Sequence, residues 1–542
     1  MPCDYRFRHC DHILVAEFDI DKGSSLTHQY PCPTGTDTHI LAELMLPDGA
    51  HVREEDWTMF FLNQRAPPLP LLYSLNLVRT KHISGVRRGA RVKAMAIVSR
   101  HQWVHVFKPL LVLALEKYFV VPSADILAAL FTAINAMDVS VMPRFSIIEK
   151  RILRASEDKT MLEEKFHELE DRVAAARRLI DRRVFATKVE YDGIMVPIKI
   201  PLTSFPDEIG DVGIASMLSW KNGAPYYWHP HLDSGPQTHP ICVLINALLT
   251  QKRVLFLGHN RPSGEVVDYV LAACALASGG GIVLRGFKER CFPYASLAAL
   301  EGLLAVPGYI AGVTNPVFEE QGTWWDVLCN INTGKITISP KLVAAAASDE
   351  KEPAGKDRER EKEWMRAGCW EGDNDFAAEA MAASQSHMGE LYIRRKFHRY
   401  VHRLVDVTAA IELESFGSTA ILATAADVSI PELGVGPFFV DDASKRRELF
   451  MLRNRVDGWR RTRSYKYRQN DYQSFLRRRT LYSFDARYAF TRFRYASSLP
   501  DPLVVRMFLA LQDTLALGSD AQVLELLCPK IHGEIARPYR RA

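Results

Sequence analysis

The 542-residue chain has no apolar run of the roughly 20 residues that a membrane-spanning helix needs. Its longest mostly apolar stretch, Val266 to Ser278, falls short of that and carries Asp268. The opening stretch from Met1 to Cys10 holds charges throughout and no apolar core, so no signal peptide is expected there. Cysteine is sparse and unpatterned: nine residues, at positions 3, 10, 32, 242, 274, 291, 329, 369 and 528, with no CxxC pair. An odd, scattered set argues against a disulfide framework and against a zinc finger, and points to a cytoplasmic chain.

The familiar catalytic and cofactor signatures are missing too. A phosphate loop needs G-x-x-x-x-G-K-[ST], so that backbone N–H groups surround the phosphates and a hydroxyl reaches Mg²⁺. The nearest candidate, Thr333-Gly334-Lys335-Ile336, lacks the hydroxyl residue and has Cys329 at the first glycine position. Gly279-Gly280-Gly281 follows a helical pattern and precedes an apolar segment, the reverse of a phosphate loop, and reads as a helix C-cap and turn. His229-Pro230-His231-Leu232-Asp233, with His239 further on, offers imidazole and carboxylate groups but neither a cysteine partner nor an HExxH helix. It is expected to be an exposed loop. No G-x-S-x-G and no Cys/His arrangement with a recognisable context occurs. The expectation is therefore no covalent or metal catalytic site, no metal and no cofactor.

What is present is the average composition of a globular protein, 47% hydrophobic and 24% charged, in a chain long enough for about two to four domains. Ile13 to Phe18 reads as a strand meeting an Asp/Gly turn, and Leu72–Val78 with Arg91–Ser99 as a strand pair. Val106–Phe119 and Ala124–Met137 have helical spacing, the second with Ser123 as N-cap. This makes residues 1–150 one α/β unit. Residues 151–186 are rich in Glu, Lys, Arg and Ala, with a narrow apolar stripe at Leu162, Phe166, Leu169, Val173 and Leu179, and read as a charged linker helix. Residues 187–341 alternate helix and strand: a helix from Pro240 to Leu249, strands at Val254–Leu257 and Ile282–Leu284, and helices over Val266–Ser278 and Leu297–Leu304. That alternation implies a mainly parallel sheet. Residues 342–396 include DEKEPAGKDREREKE and read as a disordered charged linker. Residues 397–542 are helical in pattern. The fold class is thus α/β followed by an α-helical unit.

The formal net charge of +4 conceals one strong asymmetry. Lys445 to Arg494 holds 16 basic and 4 acidic residues, +12 in all, which leaves −8 on the rest of the chain. Eleven aromatics are interleaved, among them Trp459, Tyr465, Tyr467, Phe475, Tyr482 and Phe490, and Arg477-Arg478-Arg479 is the densest point. One reading makes the aromatics a helical core and the arginines a solvated face paired with acids elsewhere, their stems covering apolar surface. The other places Arg477, Arg478 and Arg479 against an anionic membrane or an acidic partner. Basic residues with aromatics also suit RNA, but no RNA-binding signature accompanies them and no nucleic acid is expected.

Several stretches resemble the DENN-domain superfamily, in its fungal polarity-axis branch of Arf-docking proteins. They are Ala16-Glu-Phe-Asp-Ile-Asp-Lys-Gly-Ser24 with Gln29-Tyr-Pro31, Leu44-Met-Leu-Pro-Asp-Gly-Ala50, Glu55-Asp-Trp57, Leu75-Asn-Leu-Val-Arg-Thr-Lys81, Arg87-Arg-Gly-Ala90 and Lys93-Ala-Met-Ala-Ile97. Further along come His239-Pro240, Gln251-Lys-Arg-Val-Leu-Phe-Leu-Gly258, Gly312-Val-Thr-Asn-Pro-Val-Phe318 and Trp324-Trp-Asp326. The resemblance implies an upstream longin-like α/β module, a central α/β module and a downstream helical module. It also implies a regulator of vesicle trafficking and cell polarity, peripheral to membranes or the cell cortex. Such a protein binds a small GTPase, either exchanging nucleotide on a Rab-type GTPase or docking an Arf-type one. A non-catalytic cortical scaffold for a GTP-loaded GTPase is the alternative. The resemblance offers no catalytic residue to carry over.

Overall fold

The computed structural model describes residues 8–19, 23–64, 69–82, 90–145, 150, 184–210, 212–222, 229, 231–232, 238–281, 283–349, 370–478, 484–493 and 499–516. One-turn and 3-10 helices are left unlabelled below.

The chain opens with strands β1 (His12–Asp19) and β2 (Gly23–Tyr30), helix α1 (Thr38–Met45), strands β3 (Glu55–Leu62), β4 (Leu72–His82) and β5 (Ala90–Ser99), and helices α2 (Lys108–Val120) and α3 (Ala124–Asn135). The strands form an antiparallel sheet in the order β2-β1-β5-β4-β3. In the central β1 and β5, consecutive residues such as Ile13–Ala16 and Ala94–Val98 are buried. Successive strand residues face opposite sides, so burial without alternation means that both faces are covered. Local chemistry fixes α1 at both ends. Asp37 accepts from His39 N and Ile40 N at the start. At the end, Thr58 Oγ1 donates to Leu44 O (2.9 Å) and Asn76 Nδ2 donates to Met45 O (2.8 Å). Two strand side chains thereby satisfy carbonyls that a helix C-terminus leaves unpaired.

A two-stranded hairpin follows, β6 (Val184–Tyr191) and β7 (Ile194–Pro201), turning through Asp192 and Gly193, both with positive φ. The central sheet then assembles from β8 (Lys221–Asn222), β9 (Val254–Leu257), β10 (Cys291–Phe292), β11 (Ile310–Val313), β12 (Val327–Asn330) and β13 (Lys335–Ile338), in the order β10-β11-β9-β12-β13-β8. It is parallel except where β12 meets β13. The innermost strands read VLFL, IAGV and VLCN, the continuous apolar runs expected of strands covered on both faces. Helix α4 (Pro240–Leu249) is buried along its whole length. Helix α5 (Ser263–Ala277) buries twelve of its fifteen residues, many of them Ala, Gly or Cys, small enough for close packing on several sides. Helix α6 (Pro340–Asp349) follows the sheet.

The remainder is helical: α7 (Glu371–Gln385), α8 (Glu390–Phe416), α9 (Asp442–Arg460), α10 (Arg463–Arg478), α11 (Ala486–Phe493) and α12 (Asp501–Ala516). The mixture of sheets and helices agrees with the α/β class expected from the pattern.

Three local expectations differ from the structure, and a fourth falls mostly outside the described residues. Composition assigns 342–396 to a disordered linker, yet α6, α7 and the start of α8 occupy much of that span; residues 350–369, with most of the charged run, lie outside the described residues. The reason is periodicity: Phe376, Ala377, Ala380 and Ala383 form a buried face that an average over acidic and small residues conceals. The expected strand at Ile282–Leu284 is absent from the described part, where Val283 and Leu284 are buried loop residues and Val283 N donates to Ser278 O. The edge strand sits later, at Cys291–Phe292. The linker helix expected over 151–186 lies mostly outside the described residues, and β6 already begins at Val184. The loop at 229–236 is not plainly exposed, since His229 and Leu232 are buried.

Candidate partner-docking surface

Three of the stretches that carry the family resemblance, Leu44 to Ala50, Glu55 to Trp57 and Gly312 to Phe318, meet at the joint between the first and central units. On β3, Asp56 accepts from Ser263 N (2.8 Å) and Gly264 N (3.1 Å), capping the buried helix α5 with a carboxylate from another unit. The adjacent Trp57 ring lies so close to Gly264 that a Cβ there would come within 2.0 Å of Trp57 Nε1. Asp48 bonds the opposite side of the seam: its N–H donates to Tyr294 Oη (3.3 Å) and its carboxylate accepts from Asn315 Nδ2 (3.1 Å). Tyr294 Oη is itself 3.1 Å from Thr314 Oγ1. Arg53 Nη2 donates to Asn260 O (2.5 Å). Within the central unit, Arg253 binds both carboxylate oxygens of Asp326, at 2.7 and 3.2 Å, so the Gln251-Lys-Arg and Trp324-Trp-Asp stretches meet.

Buried charges that the sequence reading did not single out hold the helical unit to the central one and brace each of them internally. Arg394 Nη1 meets Glu208 (2.7 Å) and its Nε meets Glu390 (2.8 Å). Arg455, 2% exposed, grips Asp373, fully buried, at 2.9 and 2.5 Å, and Tyr400 Oη donates to the same carboxylate at 2.7 Å. Asp207 accepts from Gly286, Phe287 and Lys288 N–H groups, while burial pushes its own carboxyl up. No short motif marks these residues, which become partners only when distant segments meet.

The basic segment divides. One part follows the core-and-paired-face reading: Trp459, Tyr465, Tyr472, Phe484 and Phe493 are buried, and Arg455, Arg460, Arg487, Lys445 and Arg447 pair with Asp373, Glu412, Asp406, Glu414 and Glu371. The acids all come from α7 and α8. The other part is a stripe on α10. Arg463, Lys466 and Arg477 are exposed, have no ion pair among the described residues, and share one face of the helix over about 21 Å. Arg477 therefore belongs to a solvent-facing basic surface. The Arg478 side chain and all of Arg479 lie outside what the structure describes.

The histidine cluster is structural. His229 Nδ1 accepts from His231 N (3.1 Å) and His239 Nδ1 accepts from Ile241 N (3.2 Å) as the cap of α4. Burial, then Lys252, push the His229 ring down to about 3, and burial, Lys252 and Arg461 push His231 down to about 4. The Thr333-Gly334-Lys335 fragment is the tight β12–β13 turn, with Gly334 at φ +65° and its carbonyl accepting from Lys221 N. Among the described residues no group of three or more His, Cys, Asp or Glu is placed to hold a metal ion, and no helix is long and apolar enough to cross a membrane.

Comparison with known families divides the chain along the same seam. Residues 12–68, from β1 through β3, match the family described as the docking domain of Afi1 for Arf3 in vesicle trafficking. Residues 229–340, which hold most of the central sheet, match the family described as stabilization of polarity axis. An AFI1-like protein of Schizosaccharomyces pombe is 29% identical over 582 residues, covering 97% of this chain and 90% of that protein. The two matched regions are the two that Asp56 and Asp48 join, so the chain resembles, over nearly its whole length, a protein of the Arf-docking, polarity-axis group.

Proposed function

We propose that this chain docks an Arf-type small GTPase and holds it at sites of polarised growth during vesicle trafficking. The observation that carries the reading is the match of residues 12–68 to an Arf3-docking domain. Those residues supply three of the five strands of an intact sheet. In the finer reading the chain is a tripartite DENN protein with an upstream longin-like module over 1–150, a central module over 187–341 and a downstream module over 397–542. The antiparallel order β2-β1-β5-β4-β3, followed by a mainly parallel sheet and then helices, supports that reading. Such a protein acts by binding, and any catalysis would be GDP release from a Rab-type or Arf-type partner rather than covalent chemistry. The competing reading is a cortical scaffold for the GTP-loaded GTPase.

One experiment separates these. GDP release is followed on a panel of purified Rab and Arf proteins, alongside capture of each in its nucleotide-free, GDP and GTP forms. Acceleration with preference for the empty form supports exchange; GTP preference without acceleration supports the scaffold; no capture of any member defeats the docking reading. A second, peripheral contact is favoured by the α10 stripe. Arg463, Lys466 and Arg477 are exposed and have no ion pair among the described residues, as contact with anionic lipid requires.

A further inference from the structure

The matched docking region contains both edges of the first sheet, and they are in different states. The β3 edge is met by α5, through Asp56 and Trp57. The other edge, β2, has α1 and α3 packed against it but, among the described residues, pairs as a strand with β1 alone.

β2 reads GSSLTHQY, eight residues with no charge and no proline. Edge strands of that length are ordinarily blunted by lysine, proline, a bulge or a covering segment, because a free row of N–H and C=O groups recruits another strand, and of the first three β2 has only the bulge at Thr27. What β2 has instead are devices that hold it still. Ser25 Oγ donates to Glu17 O (3.2 Å) and Thr27 Oγ1 donates to Val15 O (3.1 Å), closing the irregularity between Val15 and Ala16. Tyr30 packs edge-on against Phe131 of α3, and His28 edge-on against Tyr118 of α2. Hydroxyls and rings thus fix the strand from its inner side and one flank, and leave its outer backbone in a pre-set extended form. Ordering cost is already met before a partner arrives.

We infer that the outer edge of β2 is a strand-addition site, and that its occupant is the edge strand of a small GTPase. The inference rests on the docking function proposed above and names the surface that performs it. A GTPase is named as the occupant because β2 lies within residues 12–68, which match a docking domain for the small GTPase Arf3. Main-chain hydrogen bonds between the two edges supply affinity, and the side chains of Ser24, Leu26 and Gln29 on one face and Ser25, His28 and Tyr30 on the other, offset by the extra residue Thr27, supply register and choice of partner. The β3 edge cannot serve, since α5 already lies against it.

The test uses the full chain with purified Arf-type GTPases loaded with a non-hydrolysable GTP analogue. Hydrogen exchange of amides within 23–30 should slow on binding. Proline is placed at Ser24 and, separately, at Ser25, because one of two neighbours sends its N–H outward and an edge tolerates proline there. Of S24P and S25P, the variant with an unchanged melting temperature should bind at least about tenfold more weakly, the worth of one good hydrogen bond. Full affinity in that variant, or protection elsewhere with 23–30 unchanged, overturns strand addition while leaving GTPase docking in place. Failure of the unmodified chain to bind any Arf-type GTPase overturns both.

Discussion

Asp56 lies on a strand of the first sheet and Gly264 in the first turn of α5, and the carboxylate of the one caps the helix of the other, Oδ1 to N at 3.1 Å. The Trp57 ring closes over the same glycine. This arrangement reverses the usual ranking of residues inside a helix, where alanine is better than glycine by about 1 kcal/mol. Gly264→Ala should lower the melting temperature, because its methyl enters the indole ring, and Asp56→Ala should cost about 1–2 kcal/mol for the lost cap. Thermal melts of the two variants and their double mutant check this; a coupling energy near zero would show that the two sites do not share one joint.

Arg455 and Asp373 form a buried pair whose breakage leaves a charge without solvent. Arg455→Met should destabilise by about 3–5 kcal/mol. Adding Asp373→Asn removes the stranded charge and should restore part of that loss, since Tyr400 still has an oxygen to bond. Urea midpoints of wild type, single and double variants give the measurement, and a double variant weaker than Arg455→Met alone would contradict it.

Acid should loosen the seat of α9 on the central unit. A Cβ on Gly458 would come within 3.2 Å of His231 Nδ1, and Lys252 and Arg461 add positive charge around His231, with Asp326 the opposing charge near His229. Both rings have folded pKa values below the ordinary 6.5, so between that value and about 4 the unfolded chain takes up protons that the folded chain refuses. Stability is therefore complete above the ordinary value and falls with pH through this window. Its slope is at most about 1.4 kcal/mol per pH unit for each ring. Denaturant midpoints from pH 7 to pH 4 should show the fall, and His231→Asn should flatten it.

The α10 stripe should bind anionic vesicles without supporting the fold. Arg463→Glu, Lys466→Glu and Arg477→Glu together should leave stability within about 1 kcal/mol of wild type, since the three have no ion pairs among the described residues. Sedimentation with phosphatidylserine vesicles should weaken both in this variant and in wild type as salt shortens the Debye length below about 10 Å. Vesicle binding indifferent to salt and to the three substitutions would remove the stripe from membrane contact.

Where a pattern belongs to one segment, the sequence was readable. Pro240 to Leu249 is a helix, Val254–Leu257 is a strand, Ser123 caps α3, and the three glycines after α5 all take positive φ. The hairpin β6–β7 was equally legible in its strict alternation and Asp192-Gly193 turn, but the charged run before it drew the boundary too late. The α7 helix was hidden by composition. The buried acids were hidden for a deeper reason: Asp56, Asp207 and Asp373 look like ordinary surface acids until segments 80 to 208 residues away bring their N–H groups or guanidinium to them. The resembling stretches Glu55-Asp-Trp57 and Gly312 to Phe318 pointed to the right places, and their role proved to be the seam.

Helix α5 touches β3 of the first sheet, β9 and β11 of the second, α4, and α8 of the helical unit. A helix buried by every unit belongs to none of them. Cutting the chain at the boundaries that composition suggests would strip α5 of a wall in each fragment, so fragments made to isolate the docking strands should aggregate where the intact chain does not.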